Sequence, residues 1–492
     1  MRLNQNSRLA NAIKQANYQR EQHRAGIVHL GLGAFHRAHQ AWYTEQVLNQ
    51  FGGDWRIIGV SLRSPTVHDQ LAPQDYLYTL IISEGVHRHQ QLIGALAKVL
   101  IAPQQPEQVI SALAAAATQV VTLTITEKGY CLRPDGKQLD EQHSEVQHDL
   151  KNVAQPRTAL GFLAAGLAAR RDQHKPGLTI ISCDNISGNG EKLRSALLQF
   201  CRRIDPTLAD WIDSHCRFPA TMVDRIVPAT TPENIQDLAT DLGYQDQAAV
   251  FSEPFCQWVI EENFAGPMPP WDKVGAQYVT DVTPFEAMKL RLLNASHSAI
   301  AYLGCLAGYN TVDRVIANPV LRKAIEQLMT EEAAPTLSMP IDFDLQAYQQ
   351  SLLQRFANSA LQHRCQQIAI DGSQKIPNRL FPILRWQRQH KGPIVITTAA
   401  LAAWLRYLQG IDETGNRYPI NDPMATQLDA IFAQHNNSAK NALPALRESN
   451  GLFPKDIAAQ DEVFIAIENW LTAFEQQGIV QAIELYQNHD KQ

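Results

Sequence analysis

Up to Asp184 the chain sets short, almost wholly apolar runs between stretches of helical spacing, and few folds accommodate that alternation. IVHLG (27–31), RIIGVSL (56–62), QDYLYTLII (74–82), VVTLTIT (120–126) and LTIISCD (178–184) read as strands, with QLIGALAKVL (91–100) continuing apolar. The segment from Phe35 to Asn49, ISALAAAA (110–117) and TALGFLAAGLAARR (158–171) read as helices between them. A strand without a polar side is one buried on both faces, and strands joined through helices run parallel. The fold class is therefore α/β, a Rossmann-type doubly wound sheet.

From about Pro284 the pattern changes. FEAMKLRLLNASHSAIAYLGCLAGY (285–309), NPVLRKAIEQLM (318–329) and ALAAWLRYLQG (400–410) have helical spacing, and strands almost vanish. FAGPMPPWDKVGAQYVTDVTP (264–284), rich in glycine and proline, marks the boundary. A dinucleotide-binding domain over 1–283 and a mainly α-helical substrate domain over 284–492 follow, each of ordinary domain size.

Composition excludes several classes of function. With 43 Lys and Arg against 49 Asp and Glu, the net charge of −6 gives no basic footprint for nucleic acid. No apolar run approaches the roughly 20 residues of a membrane span. MRLNQNSRLANAIKQ lacks the apolar core of a signal peptide, so a cytoplasmic protein is expected. The seven cysteines are scattered without a CxxC, which argues against a disulfide framework or a zinc site and fits a reducing compartment.

GLGAFHRAH (31–39) follows the first strand and opens a helix. Gly31 and Gly33 allow a tight turn and close approach of backbone to a pyrophosphate, with Leu32, Ala34 and Phe35 completing the cradle. The third glycine of the dinucleotide fingerprint is replaced by His36, and a turn with no ligand is the alternative. His36 and His39 lack the acidic or thiol partners of a metal site, so no metal is expected. The second strand ends in Leu62-Arg63-Ser64 rather than in the acid that holds the ribose of NAD. Arg63 can take a 2′-phosphate, stack on adenine or stay solvated, which leaves NAD and NADP both open.

EAMKLRLLNASHS (286–298) carries the densest chemistry. On an α-helical wheel with Glu286 at zero, Lys289 falls near 300°, His297 near 20° and Asn294 near 80°, within roughly 140° of one face. Apolar neighbours such as Leu290 and Leu293 strip water from Lys289 and lower its pKa, as proton abstraction from an alcohol requires. A solvated polar face is the alternative. SCDN (182–185) puts Asp184 and Asn185 beyond a strand end, where Asn185 can donate to a substrate oxygen or cap a helix. Asp224-Arg225 reads as a buried ion pair or a polarising site. DGSQKIPNR (371–379) reads as a turn-like polar segment offering Gln374, Lys375 and Arg379 to an anion or to hydroxyls, or simply to solvent.

GLGAFHRAHQ, TLTITEKGY, SCDN, FPATMVDRIVP, EPFCQWVIE and KLRLLNASHS stand in the order of the polyol-specific long-chain dehydrogenase/reductase (mannitol dehydrogenase) family, and the chain resembles it from about residue 25 to 425. The resemblance implies a Rossmann-type domain, a helical C-terminal domain and metal-independent hydride transfer with a nicotinamide cofactor. It implies Lys289 as general acid/base, Asn185 and Asn294 as oxyanion hole, His297 as substrate-orienting and Glu286 bordering a proton path. Asp224 and Lys375 fall at positions that line the substrate site. Monomers or weak oligomers are expected.

QIAIDGSQKIPNR (367–379), TITEKGYC, MVDRIVPA and EEAAPTLSMP look closer to the branch that reduces fructuronate, with Gln367 where the mannitol branch carries an arginine. Arg379 is then the candidate for the substrate carboxylate. IIGVSLRS and APQDYLYTL look more like the mannitol branch, and the acidic pair that follows LRS in NAD-specific mannitol enzymes is missing. The expected reaction is D-mannonate + NAD+ to D-fructuronate + NADH, in hexuronate breakdown. D-mannitol oxidation to D-fructose is the alternative. A nucleotide-holding sensor without turnover is the remote one; loss of the lysine or the asparagines would support it, and all are present.

Overall fold

The computed structural model describes residues 2–7, 9–10, 12–133 and 136–489. The chain divides into two compact units, Met1–Thr283 and Pro284–Gln492. The first carries β1 (Ala25–Leu30), β2 (Arg56–Ser61), β3 (Tyr78–Glu84), β4 (His87–Ile93), β5 (Leu96–Ile101) and β6 (Val120–Leu123). β7 (Thr179–Ser182), β8 (Thr221–Asp224), β9 (Val250–Ser252), β10 (Gln257–Glu261) and β11 (Gln277–Val279) follow.

β5-β2-β1-β6-β7 form a five-stranded sheet in which every pairing is parallel. With the β3–β4 hairpin set aside, this is the 3-2-1-4-5 order of a dinucleotide fold, reversing between β1 and β6. The absence of a polar side on β1 has a direct cause. Val28 and Leu30 pack into one core with Val109 and Leu113 of α3 (Pro106–Ala114) and Leu160 and Leu163 of α4 (Ala159–Asp172). Ile27 faces the opposite core, with Val47, Trp258 and Trp271. Each such side chain contributes about 1.5–3 kcal/mol by burial. A Cβ on Gly166 would lie 2.5 Å from that of Leu113, so only glycine lets α4 cross α3 this closely.

Two readings of the sequence are corrected here. The run 74–82 yields a strand, β3, but outside the main sheet, paired antiparallel with β4 and parallel with β9. Asp75 and Tyr76 have φ of 53° and 59°, which breaks the extended run and delays the strand to Tyr78. The helix expected over 35–49 is two, α1 (Ala34–Ala38) and α2 (Gln40–Phe51), separated by His39 at φ −119° and ψ −86°. α5 (Asn189–Ile204) follows β7.

In the second unit α6 (Thr283–Met288) runs through a π-helix, Lys289–Asn294, into α7 (Ala295–Leu306), every residue of which is buried. A helix apolar all round belongs at the centre of its domain. A second π-helix spans Leu328–Ala333, and α8 (Leu345–Phe356), α9 (Gly372–Arg379) and α10 (Val395–Tyr407) follow. The segment 371–379 is thus a helix, not a turn, although Pro377 lies inside it. Tertiary contacts override local propensity here. Ser373 donates from its N–H (2.8 Å) and its hydroxyl (2.6 Å) to the Asp422 carboxylate. Gly372 sits where a Cβ would lie 2.6 Å from both the Tyr302 hydroxyl and Trp404 Nε1. Among the described residues no helix is long and apolar enough to cross a membrane.

Candidate active site

β1 ends at Leu30 and the chain turns at Gly31, whose φ is 92° and whose Cβ would lie 2.2 Å from the Thr124 carbonyl oxygen. Packing alone demands glycine there. Gly33, the N-cap of α1, differs: its Cβ would meet nothing nearer than the Gly31 oxygen at 3.8 Å. One glycine required by the turn and a second with an open backbone is what close approach of a pyrophosphate requires. A cavity of about 260 Å³ opens at the carboxyl ends of β1, β2 and β6, with Gly31, Leu32, Arg63, Thr126 and Glu145 among its walls. Ala34 and Phe35 form the first turn of α1, where Phe35 stacks on the His39 ring at 5.0 Å. Arg63, 72% exposed, pairs with Glu145 at 3.0 Å.

The fingerprint's missing third glycine has a structural counterpart. Its role is close contact between helix and strand. Here the buried His36 ring stacks at 3.5 Å on His29 of β1. His29 bonds the hydroxyls of Thr122 (2.8 Å) and Thr124 (2.9 Å), and Thr124 donates to the Gly31 carbonyl (2.8 Å). Burial lowers the pKa of His29 to about 3 and that of His36 well below the usual imidazole range, so both rings are neutral. They pack the turn.

Asp184 and Asn185 follow β7, and neither caps α5, whose N-cap is Gly188 at φ 62°. Asn185 is exposed and Asp184 buried. The Asp184 carboxylate accepts the N–H of Ile125 (3.1 Å), the N–H of Thr126 (2.8 Å) and the Tyr130 hydroxyl (2.8 Å). Asn189 donates to the carbonyls of Asp184 (3.0 Å) and Thr221 (2.9 Å), tying this loop to β8, which ends in the buried Asp224. Arg225 donates to the carbonyls of Glu253 and Ala38 and lies over the Trp42 ring, a latch between elements of this unit.

In the second unit Glu286, Lys289, Asn294 and His297 are all buried. The α-helical wheel misplaces them, because the backbone from Lys289 to Asn294 is a π-helix. Bonding from i to i+5 sets a residue and the fifth beyond it on nearly the same face, so Asn294 comes under Lys289 instead of far around the helix. α9 supplies the rest. Arg379 donates to the Asn294 carbonyl (3.3 Å) and the Ser298 hydroxyl (3.0 Å), and Lys375 donates to the Ile368 carbonyl (3.2 Å). The His297 ring lies 4.8 Å from Phe356 and 5.5 Å, edge on, from His363.

The electrostatics are those of a dry, cation-rich site. Burial, then His363, Arg379, Arg355 and Lys289, hold His297 well below the usual imidazole range, so it is neutral. Burial and then Arg379 lower Lys375 to about 8, and burial lowers Arg379 to about 10. Asn294 Nδ2 and His297 Nε2 are buried with no hydrogen-bond partner among the described residues. Buried polar atoms are nearly always paired, and these two leave hydrogen-bonding capacity close to the buried Lys289. Sequence reasoning missed His363, which stands in no motif, and gave no role to Ser298, the last residue of EAMKLRLLNASHS. It quoted Thr126 and Tyr130 only within TLTITEKGY, with no role for either.

Residues 25–273 match the mannitol dehydrogenase Rossmann domain, and residues 281–475 match the mannitol dehydrogenase C-terminal domain. The chain is 44% identical over 436 residues to D-mannonate oxidoreductase of Escherichia coli strain K12, covering 88% of this chain and 89% of that one. It is 39% identical over 476 residues to mannitol 2-dehydrogenase of Phaeosphaeria nodorum, covering 95% and 82%. The ternary complex of Pseudomonas fluorescens mannitol 2-dehydrogenase with NAD and D-mannitol superposes with a TM-score of 0.90 at 35% identity, over 99% of this chain and 100% of that one.

Proposed function

The chain belongs to the mannitol dehydrogenase family and is an oxidoreductase of the CH–OH group; within that family we propose that it interconverts a sugar acid and its keto form, D-mannonate + NAD+ to D-fructuronate + NADH + H+. The observation that carries the reading is the pair of unpartnered buried atoms, Asn294 Nδ2 and His297 Nε2, on the helix that bears the buried Lys289. Hydride exchange with the substrate carbon is the chemistry a bound nicotinamide supplies. This chain's own residues do the rest. In the oxidative direction Lys289, neutral, takes the alcohol proton; in the reductive direction, protonated, it returns it to the carbonyl oxygen. Asn294 donates to that oxygen as negative charge develops on it, and neutral His297 orients it. Glu286 borders the route by which Lys289 exchanges its proton.

NAD fits the residues present. The open backbone at Gly33 admits a pyrophosphate. Glu145, paired with Arg63 on the cavity wall, sets a carboxylate where a ribose hydroxyl is welcome and a 2′-phosphate is repelled. A sugar acid is favoured over a neutral polyol by the cations Lys375 and Arg379 and by the similarity to D-mannonate oxidoreductase. The test is NADH oxidation with D-fructuronate and D-fructose side by side. Preference for fructuronate supports the sugar-acid reading; preference for fructose makes the protein a mannitol 2-dehydrogenase. NADH binding without turnover of any ketose or ketose acid would leave a nucleotide-binding sensor.

A further inference from the structure

Thr126 is the only β-branched residue among those described with positive φ outside glycine. At φ 60° and ψ 169° it sits in a region populated almost solely by glycine. A loop that served only as a connection would place glycine there. The conformation persists because one carboxylate over-determines it. Asp184 accepts the N–H of Ile125 on Oδ2 and that of Thr126 on Oδ1, and the Tyr130 hydroxyl, after the turn Glu127–Tyr130, donates to Oδ2 as well. Asp184 is itself 7% exposed and held through its carbonyl by Asn189. Thr124, Ile125, Thr126 and Gly129, the strained loop, form one wall of the cavity beside the Gly31 turn. Asp184 is thus separated from the cavity by the backbone it holds.

We propose that Asp184 is a positioning residue: it holds Thr126 in the strained conformation and so shapes the cavity wall against which the nucleotide binds. The assignment rests on the reading of this cavity as the nucleotide site. A loop that relaxes when the clamp is lost must be restored on binding, and the nucleotide then binds more weakly. Asparagine retains one acceptor oxygen where the carboxylate has two, so Asp184→Asn removes part of the clamp at nearly constant volume.

The experiment measures the Kd of NADH by fluorescence titration for wild type, Asp184→Asn and the double variant Asp184→Asn/Thr126→Gly, with Tm recorded for each. Asp184→Asn is expected to weaken NADH about tenfold. The double variant is expected to recover to within about threefold of wild type, because glycine adopts the conformation without a clamp. A destabilised but otherwise uninvolved loop would not be rescued by glycine. Tyr130→Phe, which removes one donor and keeps the fold, is expected to weaken NADH about threefold. It carries the test should Asp184→Asn not fold. Unchanged NADH binding in Asp184→Asn, or a double variant as weak as the single, overturns the assignment. A wild-type protein that binds no NADH overturns the nucleotide reading and the assignment with it, an outcome distinct from the other two.

Discussion

Gly31 and Gly33 are the same residue answering different demands, and substitution separates them. Gly31→Ala drives a methyl to 2.2 Å from the Thr124 oxygen at a φ of 92°, so the turn has to move. We expect a loss of at least about 2 kcal/mol in unfolding free energy, since positive φ alone costs an L-residue about 1–2 kcal/mol. Gly33→Ala meets only an ordinary contact, the Gly31 oxygen at 3.8 Å, so its Tm is expected to match wild type while its NADH affinity falls. An unchanged NADH Kd would remove the pyrophosphate from that backbone. Lys289→Ala is expected to lower kcat about a thousandfold or more, the usual worth of a general acid/base, with NADH affinity nearly constant. A variant that keeps its kcat would end the assignment of Lys289.

The elements show what was legible in the sequence and what was not. Four of the five strands of the main sheet were, because burial on both faces leaves a run without polar gaps; β5 was not, since 91–100 reads as one apolar continuation and is divided between β4 and β5. Legible too was the placing of Glu286, Lys289, Asn294 and His297 along one helical stretch, because neither glycine nor proline interrupts 286–298. The π-helix between Lys289 and Asn294 was not, since one extra residue per turn leaves no mark in composition. Nor was α9: a segment containing Pro377 becomes a helix only because Asp422, Tyr302 and Trp404 pin its start from a distance in sequence. The second π-helix supports a prediction of its own. Its Glu332 carboxylate accepts the N–H groups of Ile396 (2.7 Å) and Thr397 (2.8 Å) and so caps α10. Burial raises the pKa of this carboxyl from 4.5 to about 7. The folded protein therefore holds that proton more tightly than the unfolded chain. The resulting stability is complete below pH about 4.5 and lost as pH rises through about 7, on the order of 3 kcal/mol in all. Denaturant melts across this range should show Glu332→Gln with a shallower decline than wild type; parallel curves would refute it.

At the scale of the whole molecule the charge and the site disagree in sign. The chain carries a net −6, yet His297 has the basic side chains of Arg379, Arg355 and Lys289 about it, with Lys375 beside Arg379. On the sugar-acid proposal, a substrate carboxylate adds the anion that this group of buried basic side chains suits, which a neutral polyol does not supply. The expected effect is on discrimination rather than rate, so its test is a ratio. Arg379 also steadies the Asn294 carbonyl, and its loss is expected to slow turnover of every substrate. What a carboxylate anchor adds is selective: a charge-assisted hydrogen bond is worth about 1.5–3 kcal/mol, or roughly 10- to 100-fold. Arg379→Ala should therefore cut kcat/KM for D-fructuronate by that factor more than kcat/KM for D-fructose, mostly through KM. Equal losses on both substrates would mean that Arg379 supports the helix alone and that the carboxylate, if the substrate has one, is held elsewhere, with Lys375 the next residue to replace.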